Sequence, residues 1–160
     1  MTAPTMPPLT TAPARTVTWT ELITAVQRAG RYPTRTEAER LTRTVLCALG
    51  RHVTSDARAA LAKALPEEAA RVVASEIPAP RPLTAPEFVD AVADRVQGAT
   101  PATARWHVSS VLGVLPEVVG DTLVDDLLRQ LPRGYALLFG RAELIPKPLA
   151  GTVSRRPGRR

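Results

Sequence analysis

Residues 34–49 read TRTEAERLTRTVLCAL, and residues 100–115 read TPATARWHVSSVLGVL. Both stretches open on Thr and carry Ala at the fifth position. They also share apolar residues at three matched positions, Val45/Val111, Leu46/Leu112 and Leu49/Leu115. Apolar residues spaced three and four apart lie on one face of an α-helix. Each stretch therefore predicts an amphipathic helix of about four turns, and their likeness indicates a duplicated architecture.

The duplication extends well beyond these two stretches. Residues 17–75 align with residues 83–141 at a constant offset of 66, without a gap. Each copy predicts three helices followed by a short fourth one. A unit of about sixty residues buries only ~60% of its unfolded surface and is marginal alone. We therefore expect an all-α fold in which two tandem repeats of three to four helices pack pseudo-symmetrically into one helical bundle.

Hydroxyl residues mark the predicted helix starts. Capping boxes, in which a Thr side chain and a Glu three residues later satisfy free N–H groups, are predicted at Thr18/Glu21, Thr84/Glu87 and Thr34/Glu37. The helix after Thr100 begins with Pro101, where the missing N–H costs nothing. The third helix of each copy is predicted to start at an N-cap, Ser55 or Asp121, and to run to Leu65 or Leu131.

Two further residue types locate the helix ends. Gly50 and Pro116 occupy equivalent positions near the end of the second helix and discourage its continuation. Pro66 and Pro132 break the axis after the third helix and can open the short fourth one.

Proline-rich stretches divide the chain into five parts. Proline fixes φ and lacks a donor, so these stretches resist helix and sheet. The prediction is a disordered Pro/Thr-rich head (1–16), helical repeat 1 (17–76), a Pro-rich linker (77–82), helical repeat 2 (83–141) and a flexible basic tail (142–160).

The net charge of +6 lies mostly outside the predicted repeats. Residues 17–76 carry +2 and residues 82–145 carry −3, so the excess basic residues belong to the head, linker and tail. Only two of the 21 basic residues are Lys. Such an Arg-rich composition is typical of high-GC bacterial coding, and we do not interpret it as phosphate recognition.

Composition also restricts the class of protein. One cysteine excludes an internal disulfide framework and a cysteine-based metal site within one chain. The N-terminus lacks the pattern of a secretory signal, and no stretch of eighteen apolar residues predicts a membrane span. We expect a soluble cytoplasmic protein.

A family resemblance follows from the packing motifs. The second helix ends in Val-Leu-x-x-Leu, and residues 131–139 read LPRGYALLF. With WTELITAVQ in repeat 1 and PEFVDAVADRV in repeat 2, this pattern resembles the bacterial Domain of Unknown Function family 2267 over roughly residues 17–140. Repeat 1 departs from the aromatic ending, with LPEEAARVV at 65–73. The resemblance implies the helical fold and no particular activity.

Candidate catalytic and metal-binding residues each have a structural interpretation that we favour. Cys47 is followed by His52 on a different helix face, so we expect a small packing residue and not a nucleophile. His107 is expected at the core edge, donating to a backbone carbonyl. His52 and Asp56 have metal-ligand spacing, but Thr54-Ser55 predicts a break between them.

The adjacent carboxylates Asp125-Asp126 and Glu67-Glu68 point about 100° apart on a helix. They are expected on solvated faces and beside helix dipoles, and not as an acid/base pair. No phosphate-binding loop, zinc-ligand set or Ser/His/Asp arrangement is present. We predict no enzyme activity, no cofactor and no metal.

Two surfaces could bind a macromolecule. A protein interface is predicted around three aromatic residues, Trp106, Tyr135 and Phe139. Phosphate contacts are the alternative, in a region where Arg35, Glu39 and Arg43 also form a mixed-charge ladder. The basic candidates are Arg28, Arg31, Arg35, Arg40, Arg43, Arg155, Arg156, Arg159 and Arg160.

The leading hypothesis is a non-catalytic helical module that binds another protein or itself. The alternative is a weak nucleic-acid-associated protein that uses the Arg28–Arg43 region and the tail, with a strong dependence on salt. A third hypothesis, a ligand-binding bundle around His107, requires a pocket that a sequence does not reveal.

Overall fold

Helix starts in the two halves of the chain keep the spacing of the sequence repeat. The computed structural model describes residues 17–141, which contain helices and no β-strand. Three starts in the second half lie 66 residues after their counterparts: 19 and 85, 35 and 101, 55 and 121. The described helices are α1 (Trp19–Gly30), α2 (Arg35–His52), α3 (Ser55–Ala64), α4 (Glu67–Ala74), α5 (Ala85–Arg95), α6 (Pro101–Leu112), α7 (Leu115–Val119), α8 (Asp121–Gln130) and α9 (Tyr135–Leu138). The all-α fold class is confirmed.

The predicted head (1–16) and tail (142–160), with Arg155, Arg156, Arg159 and Arg160, lie outside the described residues. Residues 77–84, which include the predicted linker, are not helical.

Threonine side chains cap four helices. The Oγ1 atoms of Thr18, Thr34 and Thr84 accept the N–H of the Glu three residues later, at 3.1, 3.2 and 3.3 Å. At α5 the box is reciprocal, because the Thr84 N–H donates to Glu87 Oε1 at 2.9 Å. The start of α6 has a reciprocal box as well, in which Thr103 takes the place of Glu.

The predicted N-caps of the third helices are wrong by one residue. Ser55 and Asp121 are the first helical residues, and the caps are Thr54 and Gly120. Neither cap makes a side-chain hydrogen bond to its helix. Asp121 instead places its negative charge in the first turn of α8, where the helix dipole favours it.

The long second helix predicted for repeat 2 is interrupted. Whereas α2 continues through Gly50 to His52, its counterpart stops at Leu112 and resumes as α7. Pro116 lies in the first turn of α7. Its ring would clash with the Leu112 carbonyl in a continuous helix, and it lacks the N–H to bond that carbonyl. The proline therefore divides the helix in two.

Buried side chains from both halves belong to one hydrophobic cluster. Within the first half, α2 packs on α1 and α4; within the second, α6 packs on α5 and α9. Between the halves, α6 contacts α1 and α2, α2 contacts α5, and α3 contacts α8. The halves therefore share a core, whereas the two-fold symmetry of the repeats stays a prediction.

Arg58 joins the ends of two helices in repeat 1. Its guanidinium donates to the carbonyls of Gly50 (2.5 Å), Val73 (2.7 Å) and Ala74 (3.0 Å), and to that of Glu76. These carbonyls lie at the C-terminal ends of α2 and α4, where the helix dipole favours a cation. Gly50 permits this approach, because a Cβ there would lie 2.7 Å from the Val73 carbonyl oxygen.

We expect Arg58→Ala to lower the free energy of unfolding by about 3 kcal/mol, because it removes charge-assisted hydrogen bonds and leaves carbonyls without a donor. The free energy of unfolding of Arg58→Lys should lie between those of the unsubstituted protein and Arg58→Ala, since an ammonium group cannot reach the carbonyls of both helix ends. Urea unfolding followed by circular dichroism measures this. The control is Arg129→Ala, which removes an exposed pair with Asp126 and should cost under about 0.5 kcal/mol. Equal losses in the two alanine variants would contradict the role given to Arg58.

Candidate functional site

The turn after α1 combines a residue in the left-handed conformation with a glycine that leaves room for an aromatic ring. Arg31 adopts a left-handed backbone (φ 54°), and its N–H and that of Tyr32 bond back to α1. The Tyr32 ring lies against Gly30, where an added Cβ would be 2.2 Å from Tyr32 Cε2. The absence of a side chain at Gly30 is therefore what lets the ring pack on the helix end.

Helix α6 of repeat 2 contacts this same turn. Trp106 Nε1–H donates to the Gly30 carbonyl at 3.1 Å. The Tyr32 hydroxyl and His107 Nδ1 are 2.7 Å apart, with ring centroids at 5.6 Å. The prediction that His107 bonds to a backbone carbonyl is wrong, because its Nδ1 bonds to the Tyr32 side chain of the other repeat. The sequence offered no signal for this pairing, because Tyr32 and His107 are not equivalent positions in the repeat.

Burial favours the uncharged form of both rings in this pair. It lowers the pKa of His107, an effect that the charge of Glu37 opposes. It also raises the pKa of Tyr32, with a smaller opposing contribution from the Ser110 hydrogen bond and a further raising one from Glu37. A phenol is the better donor and a neutral imidazole the better acceptor, so we assign the Tyr32 hydroxyl as the donor to Nδ1, which leaves the imidazole proton on Nε2.

The second histidine also lies between the repeats. His52, the last residue of α2, meets the Phe88 ring of α5 edge-on at 5.8 Å. Its Nδ1 is buried and has no hydrogen-bond partner among residues 17–141. Burial, followed by the charge of Arg51, lowers the pKa of His52. The predicted break after His52 is confirmed, as α2 ends there and α3 begins at Ser55. Residues 17–141 hold no cluster of three metal-binding side chains.

An apolar recess, here named the repeat-2 groove, lies between α5, α6 and α9. Its volume is 530 Å³. Its rim includes Leu137, which is 48% exposed, and two charged residues, Asp90 and Arg105, that form no ion pair within the described chain. The groove is lined by Ala85, Pro86, Val89, Asp90, Pro101, Ala102, Arg105, Gly134, Leu137 and Leu138.

A second recess, here named the inter-repeat cleft, lies between α2, α6 and the turn that joins α5 to α6. It has a volume of 570 Å³ and contains more polar groups than the repeat-2 groove. It is lined by Glu37, Arg40, Leu41, Thr44, Arg95, Val96, Gln97, Gly98, Ala99, Thr103 and His107.

Trp106 lies on α6 between the residues that line the two recesses. At about 100° per residue, Ala102 and Arg105 lie on one side of it around α6, and Thr103 and His107 lie on the other. Trp106 is 51% exposed even though its N–H bonds to Gly30. Its role as a protein contact stays a prediction.

Tyr135 and Phe139 are not surface residues, which corrects their assignment to an interface. They are 0% and 1% exposed. The Tyr135 hydroxyl donates to the Leu83 carbonyl at 2.9 Å, its ring packs edge-on against Phe88, and burial raises its pKa. Positions 135, 138 and 139 share a helix face that points inward, which the sequence spacing could have indicated. The residue of α9 that faces outward is Leu137.

The basic region of repeat 1 is not a continuous cationic surface. Arg43 contacts two carboxylates, Glu39 at 3.1 Å and Glu68 at 3.3 Å, and lies 4.7 Å from the Trp19 ring centroid. Arg35 donates to Thr20 Oγ1 at 3.1 Å, so only the Glu39–Arg43 half of the predicted ladder forms. Four candidates are exposed without an ion pair in residues 17–141: Arg28, Arg31, Arg35 and Arg40.

The remaining candidates occupy structural positions. Burial raises the pKa of the Cys47 thiol, and Glu76 raises it further, so the nucleophilic thiolate is disfavoured. The carboxylates of Asp125 and Asp126 face different arginines, Arg141 and Arg129. The other adjacent carboxylates, Glu67 and Glu68, lie in the first turn of α4.

Comparison with known families identifies the family. Residues 19–138 match the family model described as "Uncharacterized conserved protein (DUF2267)". The match covers three quarters of the chain, so this protein belongs to that family, as the packing motifs indicated. No curated protein gives a significant match. Within residues 17–141, every helix is too short or too polar to cross a membrane.

We expect stability to decrease as the pH falls below about 6.5, where the imidazoles of the unfolded chain titrate. The folded-state pKa values of His52 and His107 are lowered, so in this window the unfolded chain binds more protons. Urea unfolding at about pH 7.5 and about pH 5 measures the loss. The double variant His52→Gln, His107→Gln is the control and should lose most of the difference. An unchanged difference in that variant would show that other groups cause it.

Proposed function

We propose that this DUF2267 protein is a non-catalytic, cytoplasmic interaction module that holds a short amphipathic helix of another protein in the repeat-2 groove. The observation that carries the proposal is the groove itself, an apolar recess between three helices with an exposed leucine on its rim. Grooves of this kind receive the apolar face of an amphipathic helix.

The charged residues on the rim of the groove indicate which charges the partner helix should carry. Asp90 on α5 and Arg105 on α6 have no ion-pair partner among residues 17–141. A helix that presents aliphatic side chains to the groove, with one basic and one acidic residue flanking them, would pair with both. Such rim charges contribute mainly to specificity and association rate, whereas the apolar contacts contribute most of the affinity.

The nucleic-acid alternative receives less support from the charge distribution. A phosphate-binding surface needs several cations that are free to replace counterions. In the predicted Arg28–Arg43 region, Arg43 is paired with two glutamates, whereas Arg35 donates to a hydroxyl and keeps its charge. Glu37, Glu39 and Glu68 add negative charge to the same region.

Site-specific photo-crosslinking in the native host tests the proposal. A photoreactive residue replaces Leu137 in the full-length chain, and the control carries it at Ile77, which is 81% exposed and lies between the repeats. We expect a discrete protein adduct at position 137, absent at position 77, that survives nuclease treatment. Asp90→Lys with Arg105→Glu should reduce the adduct, because both rim charges are reversed.

Three outcomes would overturn the proposal. An adduct that disappears after nuclease treatment would indicate nucleic-acid association. An adduct between two copies of this chain would indicate self-association, and an adduct with its own C-terminal segment would indicate an intramolecular occupant. Repeating the crosslinking at different salt concentrations tests nucleic-acid association independently, since phosphate binding weakens steeply between about 50 and 200 mM salt.

A further inference from the structure

We infer that the inter-repeat cleft binds a small organic oxyanion, a carboxylate or a phosphate monoester that also carries a hydroxyl or ammonium group. The cleft is separate from the repeat-2 groove, and this inference does not depend on the function proposed there. Its volume of 570 Å³ lies within the range of about 300–1,000 Å³ that small-molecule sites occupy.

Two cations line the cleft from different elements. Arg40 projects from α2 of repeat 1, and Arg95 is the last residue of α5 in repeat 2. Neither forms an ion pair within residues 17–141, unlike Arg43, which lies one turn from Arg40 on the same helix. Guanidinium groups bind carboxylates and phosphates with two parallel hydrogen bonds, so this pair favours an oxyanion.

His107 supplies a third, oriented group. Its Nδ1 bonds to the buried Tyr32 hydroxyl, which fixes the ring. The ring also lines the cleft, and Nε2 has no hydrogen-bond partner among the described residues. When Tyr32 donates to Nδ1, Nε2 carries the proton and is available as a neutral donor to an oxygen of the ligand.

The other residues that line the cleft indicate which groups the ligand carries besides its oxyanion. Glu37, whose carboxylate is also unpaired within the described residues, can accept a hydrogen bond only from a donor such as a hydroxyl or ammonium group. Leu41, Val96 and Ala99 provide apolar surface for a short carbon skeleton. A simple inorganic anion would leave Glu37 and this apolar surface without a partner, so the organic oxyanion is the better fit.

Isothermal titration of the full-length protein tests the inference with two probes, L-malate for the carboxylate and glycerol 3-phosphate for the phosphate monoester. Propane-1,2-diol is the neutral control. We expect saturable binding of one of the two anions and none of the diol. Arg40→Gln and Arg95→Gln should each weaken it about tenfold or more, as expected for the loss of a charge-assisted hydrogen bond. The matched control Arg28→Gln, an exposed arginine outside the cleft, should leave it unchanged.

A second measurement separates the site from general charge effects. The His107 imidazole NMR signals should shift on saturation, and Glu37→Gln should change the preference between malate and its analogue without the hydroxyl group, succinate. No saturable binding of either anion would overturn the inference, as would equal weakening by Arg28→Gln and Arg95→Gln. Binding that leaves the His107 signals unmoved would place the anion elsewhere and would overturn it too.

Discussion

The contact between α6 and the turn after α1 determines how the two repeats meet. One turn presents a carbonyl at Gly30 and a hydroxyl at Tyr32, and successive residues of α6 bond to them: Trp106 to the carbonyl and His107 to the hydroxyl. Directional bonds of this kind fix the register of two apolar surfaces that could otherwise slide, because burial alone has no preferred direction. The bare Cα of Gly30 is part of the constraint, since any side chain there would occupy the space of the Tyr32 ring.

The inter-repeat cleft includes residues at positions where the two repeats differ in sequence. Trp106 occupies the place of Arg40 and His107 that of Leu41, so equivalent faces of α2 and α6 present different chemistry to the same junction. Repeat 1 holds its helix ends with Arg58, whereas Val124 occupies the equivalent position in repeat 2 and is buried. In repeat 2, Arg141 bonds to Asp121 and Asp125 across α8 and the end of the described chain. Matched positions of the two sequence repeats therefore make different contacts.

The helices could be predicted from the sequence because their signals are local. A capping hydroxyl, an apolar stripe and a proline act within a few residues, so helix starts at Trp19, Arg35 and Ala85 follow from the chain itself. The break before α7 does not follow from the sequence pattern, in which Pro116 indicates only a helix end. The same residue can open a helix, and here Pro116 lies in the first turn of α7.

The sites were less accessible to sequence reasoning, because each depends on contacts between distant segments. Tyr32 and His107 are 75 residues apart, and neither carries a motif. The aromatic ending at Tyr135 and Phe139 suggested a surface, yet its spacing places both rings in the core and leaves Leu137 outside.

The number of arginines in a sequence likewise does not indicate which guanidinium groups are neutralised by carboxylates in the fold. Arg43 has two carboxylate partners, while Arg40, one turn away, has none in the described chain and faces a cleft with Arg95. The arrangement of unpaired charge favours a small anion at one cleft over a polyanion along the surface, a distinction that the net charge of +6 does not make.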